Sequence, residues 1–175
     1  HTYEYSKETM RGKSELKSET NSAQQTSSGL DRNYITQWSY GIGETFSLMI
    51  PNIKGGASVP IAQNEKAMEK ANPMYGSIYS QLTQYFGDQP MTAGPVYVGA
   101  FVVLLFILGL FIVDGPLKWA LGGATLLSIL LSWGHNFMGF TDFFIDYVPM
   151  YSKFRAVSSA LVIAEFTIPL LAILA

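Results

Sequence analysis

The sequence predicts a mainly α-helical segment of a multi-pass membrane protein, in which a long polar part of short helices and loops, on one side of the bilayer, precedes three transmembrane helices. Only 14% of the 175 residues are charged, whereas charged residues make up about a quarter of a soluble domain. Most of the charges lie in residues 1–95, and residues 96–175 are largely apolar. A soluble protein with long buried helices is the alternative, and the short turns and interfacial Trp and Tyr residues between the apolar runs disfavour it.

Three apolar runs give the predicted spans. Residues 96–113 carry no charge, and a bilayer core needs roughly 20 helical residues. Pro116 suits the start of the next helix, and the second span, residues 117–133, has Trp119 near one end and Trp133 at the other. Residues 134–155 are predicted to form a loop with an amphipathic stretch at 140–148. Residues 156–175 form a third, truncated span.

The polar part is predicted to hold short helices and loops. Residues 1–29 are rich in Ser, Thr and Gln, which favours at most a strand at Thr2–Tyr5 and a flexible loop. A short helix begins near Glu44 and ends at Pro51. The later predictions in this part are a Gly-rich loop at 54–60, helices at Ile61–Ala71 and Tyr75–Phe86, and a turn at Gly87–Pro95.

Composition also excludes several classes of protein. A net charge of −2 gives no electrostatic basis for binding nucleic acid. Without cysteine, disulfides and thiolate metal sites are excluded, and no dinucleotide, P-loop, nucleophile-elbow or metalloprotease motif is present.

The chain opens at His1 without a signal peptide and stops inside an apolar run, so we expect an internal stretch of a larger multi-spanning protein.

Arg155 and Lys153 precede the third span and are candidates for binding a phosphate. The planar guanidinium of Arg155 matches a phosphate with two parallel charge-assisted hydrogen bonds, and Lys153 adds a point charge. In the alternative interpretation both side chains extend toward lipid headgroups.

Glu165 lies inside the third span, where an ionisable group marks a functional or an interhelical contact. The structural alternative is a hydrogen bond to Thr125 or Ser128. Pro169, four residues later, is expected to kink the helix and free the carbonyl of Glu165.

Asp142 and Asp146 are four residues apart and share a face if the loop is helical. They then either hold a divalent cation or belong to an interfacial helix together with the aromatic residues between them. The sequence leaves open whether a divalent metal takes part in the function.

Asp31, Trp38, Tyr40 and Glu44 are candidate contacts for a sugar or an acceptor, because aromatic rings stack on the apolar faces of pyranoses. The alternative places the aromatic rings in a small core and Glu44 at a favourable helix N-terminus.

Three segments resemble the YfhO family of bacterial membrane proteins, which have a GT-C-like glycosyltransferase architecture, and its Bacteroidetes branch in particular. The segments are Gln37–Asn52, with an acidic, Leu-rich helix that ends in Pro-Asn, Gly94–Ala100, with a YxG pattern, and Val148–Ser159, with Phe-Arg after a proline. Where the family often has Pro and a second Arg, this chain has Ala156–Ser159, which leaves Arg155 with Lys153 alone.

The resemblance implies transfer of a sugar from a polyprenyl-phosphate donor to an envelope glycan or glycoconjugate acceptor, on the outer face of the bacterial cytoplasmic membrane. It implies that residues 1–95 and 134–155 face outward. It also implies that the catalytic acidic residue lies in a first external loop upstream of this chain. A transporter or flippase for a lipid-linked or small polar substrate, and a non-catalytic scaffold for envelope assembly, are the alternatives.

Overall fold

A computed structural model of the chain describes residues 31–90, 96–149, 151–153 and 156–175, and these residues are mainly helical, as predicted. The predicted strand at Thr2–Tyr5 lies outside the described residues. Short 3₁₀ turns at Ile42–Leu48, Ile61–Gln63, Pro73–Tyr75, Gly134–Phe137, Tyr151–Lys153 and Val157–Leu161 connect the regular elements. In chain order these elements are α1 (Arg32–Ile35), β1 (Gly55–Pro60), α2 (Glu65–Met68), α3 (Gly76–Tyr79), β2 (Thr83–Tyr85), α4 (Ala100–Ile112), α5 (Leu117–Ser132), α6 (Met138–Tyr147) and α7 (Val162–Leu174).

The polar part contains a two-stranded antiparallel sheet of β1 and β2, in which Gly55 pairs with Tyr85. The predicted loop at 54–60 is therefore a strand, and the predicted helices Ile61–Ala71 and Tyr75–Phe86 contain only the short helices α2 and α3. The side chain of Asn64 caps α2, so this helix begins inside the first predicted range. The second predicted helix is cut short because Thr83–Tyr85 forms β2. The short helix before Pro51 was predicted correctly in place, although it is a 3₁₀ turn.

The apolar part is a bundle in which α7 packs against both α4 and α5. Small and hydroxylated residues line these contacts. Gly109 of α4 lies against Leu171 of α7, and the hydroxyls of Thr125 and Thr167 are 2.6 Å apart across the α5–α7 interface. Ser128 of α5 donates to the carbonyl of Ala160 at 2.9 Å. Contacts of this type are typical of helices that associate in lipid, where close backbone approach and interhelical hydrogen bonds replace apolar burial.

The outward faces of the same helices carry large apolar side chains. Phe111 of α4 is 78% exposed and Ile173 of α7 is 82% exposed, while Thr125, Ser128 and Thr167 are buried. Further exposed apolar residues of the bundle include Phe101, Leu104, Trp119, Leu126 and Phe166. The interior thus combines hydroxyl groups with an apolar core, while the outward faces carry more large apolar side chains than is usual in a water-soluble domain.

One helical stretch, Val157–Leu174, is long and apolar enough to cross a bilayer, and fewer than half of its residues are buried. Of the three predicted spans, the described residues therefore contain one at full length, or two if α5 and the bent Gly134–Tyr147 stretch are counted as a single span. At 1.5 Å per residue, α4 and α5 reach about 20 and 24 Å, short of the roughly 30 Å of a hydrocarbon core. Gly99 and Gly115, both with positive φ, bound α4, so the helix begins later than the apolar run of the sequence.

The chain bends by 107° between α5 and the following Gly134–Tyr147 stretch. Gly134 makes the bend with a φ of +46°, in the left-handed region that favours glycine. The helix beyond the bend is tied to α1 by Arg32, which binds Asp142 and also reaches Asp146 at 2.8 Å. The two carboxylates are thus occupied by a guanidinium, and the described residues contain no acidic or histidine cluster suited to a metal ion. The structure therefore does not support the cation interpretation of this pair.

Candidate functional site

A cavity of about 320 Å³ lies where the polar part meets the N-terminal half of α7. The polar part contributes Tyr40 and Gln89, and α7 contributes Glu165. Val96, Ser158, Ser159, Leu161 and Val162 complete the wall. Below we call this space the polar cavity, because a carboxylate, an amide and three hydroxyl-bearing residues face it. Such a set of donors and acceptors suits a ligand with several hydroxyl groups.

Tyr40 reaches the polar cavity from the loop before the 3₁₀ turn at Ile42–Leu48. Its hydroxyl lies 2.6 Å from Ser47 Oγ, and Ser47 in turn donates to the carbonyl of Val96 at 2.9 Å. Because the single hydroxyl hydrogen of Ser47 goes to that carbonyl, Tyr40 donates to Ser47 and keeps its lone pairs as acceptors. Burial raises the pKa of Tyr40, and the carboxylates of Glu44 and Glu165 raise it further. The phenol therefore stays neutral over the physiological range.

Glu165 is half-buried and faces the polar cavity. The expected hydrogen bonds to Thr125 and Ser128 do not form: Thr125 pairs with Thr167, and Ser128 bonds to the backbone of residues 160 and 164. In the part of the chain that the structure describes, no group donates a hydrogen bond to the Glu165 carboxylate. Its structural alternative is thus overturned, and its carboxylate is turned toward a space that a ligand can enter.

Three polar residues of the polar cavity, Gln89, Ser158 and Ser159, were not among the predicted site residues. The two serines belong to the third segment of the family resemblance, so their position next to Arg155 was the available signal. No sequence signal points to Gln89, which follows β2 and reaches the helices only through the fold.

A second cavity of about 300 Å³ adjoins the first and shares Ser159 and Val162 with it. Its other lining residues are Tyr151, Ala156, Val157, Ala160 and Ile163, so we call it the apolar cavity. The Tyr151 hydroxyl is buried, and among residues 31–90, 96–149, 151–153 and 156–175 it has no hydrogen-bond partner. An unpaired buried hydroxyl costs about 1–3 kcal/mol, and an acceptor on a bound ligand would remove that cost.

Burial raises the pKa of Tyr151 to about 12, which gives a pH prediction. The neutral phenol is the form that the fold favours, so stability is unaffected below the ordinary tyrosine pKa of about 10 and falls as pH rises from there toward 12. Ultraviolet absorbance of tyrosinate should show a late phase near pH 12 that Tyr151→Phe removes. Persistence of the whole late phase in Tyr151→Phe would contradict the assignment.

Glu44 lies in the interior, with no exposed surface. Its carboxylate accepts hydrogen bonds from the Tyr85 hydroxyl, from Gly41 N at 2.7 Å and from Asp88 N at 3.4 Å. Burial raises the pKa of Tyr85, as does its bond to Glu44, so the phenol remains a donor. At Gly87 a Cβ would collide with both Glu44 and Tyr85, so glycine permits their contact. In this arrangement Glu44 organises the polar part and does not face a ligand.

The remaining predicted site residues are dispersed. Asp31 caps α1, accepting from Asn33 N at 2.9 Å. Trp38 is half-buried, and its carbonyl accepts from Ser158 N at 3.1 Å. Lys153 is half-buried in the turn that precedes the apolar cavity, and Arg155 lies outside the described residues. Of the predicted set, the structure therefore brings only Tyr40 and Glu165 into one cavity.

Comparison of the chain with protein-family models, with curated proteins and with solved structures found no match.

Proposed function

We propose that this chain is part of a bacterial membrane glycosyltransferase of the YfhO type, which moves a sugar from a polyprenyl-phosphate donor to a cell-envelope acceptor. In this proposal α4, α5 and α7 are three spans of the cytoplasmic membrane, and the polar part lies on its outer face. The proposal draws on the family resemblance of three segments and on two features of the structure, which concern the membrane and the ligand.

The membrane part of the proposal is supported by the side-chain distribution of the bundle. Thr125, Ser128 and Thr167 are buried between helices, whereas Phe111 and Ile173 point outward. In water such a surface would aggregate, and in hydrocarbon it needs no cover. The short lengths of α4 and α5 are compatible with local thinning of the bilayer or with flanking residues at its boundary.

The proposed ligand, a lipid-linked sugar, is supported by the two neighbouring cavities. The polar cavity presents Glu165, Gln89 and hydroxyl groups, and the apolar cavity beside it presents one phenol among aliphatic side chains. The shared wall of Ser159 and Val162 places polar and apolar binding surfaces side by side. A molecule with a hydroxyl-rich head and a hydrocarbon tail, such as a lipid-linked sugar, matches this division.

In the proposed reaction the bond between the sugar C1 and the donor phosphate breaks, and a bond from C1 to an acceptor oxygen forms. A base expected upstream of this chain takes the acceptor proton. The departing phosphate gains negative charge, which Arg155 and Lys153 would stabilise as fixed cations. Both residues are within a few positions of the cavity residues Tyr151, Ser158 and Ser159.

Transfer of radiolabelled sugar from a polyprenyl-phosphate donor tests this function in the full-length protein. Arg155→Ala should reduce the rate by about 100-fold or more, the typical loss when one group that stabilises transition-state charge is removed. Lys70→Ala, which removes an exposed cation from the polar part, should leave the rate unchanged. Wild-type activity of Arg155→Ala, or equal losses in both variants, would refute the phosphate role, and no transfer by the wild-type protein would refute the function.

One observation favours a transporter or flippase as the second candidate. Glu165 lies within the helical stretch that is long enough to span a membrane, lines the polar cavity and precedes Pro169 in α7. An acidic group inside a span marks a substrate or ion pathway by default, and a proline in the same helix removes one of its backbone hydrogen bonds. If the protein is a transporter, Glu165→Gln should stop uptake of the substrate into vesicles, and neither the wild-type protein nor the variant should transfer sugar. For the transferase, the same variant should lower transfer and leave vesicle flux unchanged.

A further inference from the structure

Helix α6 has one face made of aromatic rings, several of which stay exposed in the described part of the chain. Tyr147 is 74% exposed and Phe143 is 54% exposed. At 3.6 residues per turn, these two residues fall on the same side as Phe137, Phe140 and Phe144, and we call these five residues the aromatic stripe. Thr141 and Ile145, on another side of the helix, are buried.

The rings of the aromatic stripe form a continuous series. Phe137 and Phe140 stack at 5.6 Å, Phe140 and Phe144 lie 4.9 Å apart, and Phe143 and Tyr147 lie 5.1 Å apart between ring centroids. The series extends beyond α6, because Phe137 also contacts Trp133, at the C-terminal end of α5, at 6.2 Å. The exposed aromatic surface is therefore continuous with the end of a helix whose outward face is apolar.

The carboxylates of α6 lie away from this surface. Both Asp142 and Asp146 bind Arg32, so one of their two negative charges is compensated within the fold. The aromatic stripe itself carries no charged residue. A surface of this kind does not select anionic lipids, and it does not match a charged protein partner.

We propose that α6 lies in the plane of the membrane at its outer interface, with the aromatic stripe in contact with the headgroup and upper acyl region of zwitterionic lipids. The 107° bend after α5 turns α6 nearly perpendicular to a helix that we place across the bilayer, which is the orientation an in-plane helix requires. Aromatic residues favour this region of a bilayer, and amphipathic helices enter it to a depth of about 5–10 Å. The inference rests on the proposed membrane location of the bundle.

The absence of cysteine from the chain permits single-site spin labelling. The full chain is reconstituted in phosphatidylcholine nanodiscs with one label at Tyr147→Cys or Phe143→Cys. The controls are Asp146→Cys on the carboxylate side of α6, Glu69→Cys in the polar part and Phe111→Cys on the outward face of α4. Power saturation with oxygen and with a water-soluble nickel chelate then reports the depth of each label.

At positions 143 and 147 we expect high accessibility to oxygen and strong protection from the nickel chelate, with the reverse at positions 69 and 146. One outcome is that the label at position 111 lies in lipid, while the labels at 143 and 147 are as accessible to the chelate as the label at 69. That result would refute the in-plane helix and leave the membrane location intact. If position 111 is also open to the chelate, the membrane location itself is wrong. Dipolar broadening at 143 or 147 would show instead that a second copy covers the stripe, which also overturns the inference.

Discussion

Replacing Glu44 with alanine should destabilise the polar part by about 3 kcal/mol or more, because it leaves three donors unpaired and each unpaired buried donor costs about 1–3 kcal/mol. The substitution leaves the Tyr85 hydroxyl and the backbone amides of Gly41 and Asp88 without their common acceptor. Each of these donors is at least partly buried, so water replaces the lost bonds poorly. Equilibrium denaturation in detergent micelles, followed by circular dichroism, measures the loss.

Glu69 supplies the matched control, because it is an exposed glutamate of the same polar part. Glu69→Ala should change the free energy of unfolding by no more than about 0.5 kcal/mol, as is usual for exposed positions. Similar small effects from Glu44→Ala and Glu69→Ala would show that the carboxylate of Glu44 is not the acceptor that holds this part together.

The second large effect is expected from Gly134→Ala. A Cβ at this position would collide with Ser39 Oγ and lie 2.5 Å from Val157 Cγ2, and its φ is +46°. Left-handed strain of roughly 1 kcal/mol and overpacking of about 1–3 kcal/mol together predict a loss of roughly 2–4 kcal/mol. The same denaturation experiment applies, and protease sensitivity of the bend between α5 and α6 should rise in parallel.

Gly123 provides the opposite expectation from the same substitution. It lies inside α5, and a Cβ there would meet nothing within 4 Å. Gly123→Ala should therefore be neutral or stabilise the protein by up to about 1 kcal/mol, the difference in helix propensity between the two residues. If both alanine variants behave alike, the contacts made at Gly134 do not decide the geometry of the bend.

The positions of the apolar helices could be predicted because a run of apolar residues is visible in the composition of the sequence alone. Apolar runs with at most one charge each, with Pro116 at a helix start and Trp133 at an end, predicted the positions of α4, α5 and α7 to within about six residues. Their lengths were not predictable in this way. An apolar run does not reveal where Gly99 takes a positive φ or where a 3₁₀ turn replaces the first turns of an α-helix.

The candidate site was predictable only in part, because it joins segments that are distant in sequence. Tyr40 and Gln89 reach Glu165 through packing of the polar part onto α7, which no local pattern encodes. Glu44 illustrates the opposite case. Its position in the first turn of a helix was read correctly from the sequence, but its burial depends on Tyr85, which belongs to a strand that the sequence had assigned to a helix.

The attachment of Tyr40 has a consequence for how a ligand reaches the polar cavity. The backbone of Tyr40 donates to the carbonyl of Ser132 at 2.7 Å, and its ring belongs to the same buried cluster as Leu161 and Ile168 of the bundle. The loop that carries Tyr40 is thereby held against α5 and α7, so moving it away from the polar cavity would disrupt the buried cluster. A ligand therefore has to enter the polar cavity with these contacts intact, without separation of the polar part from α7.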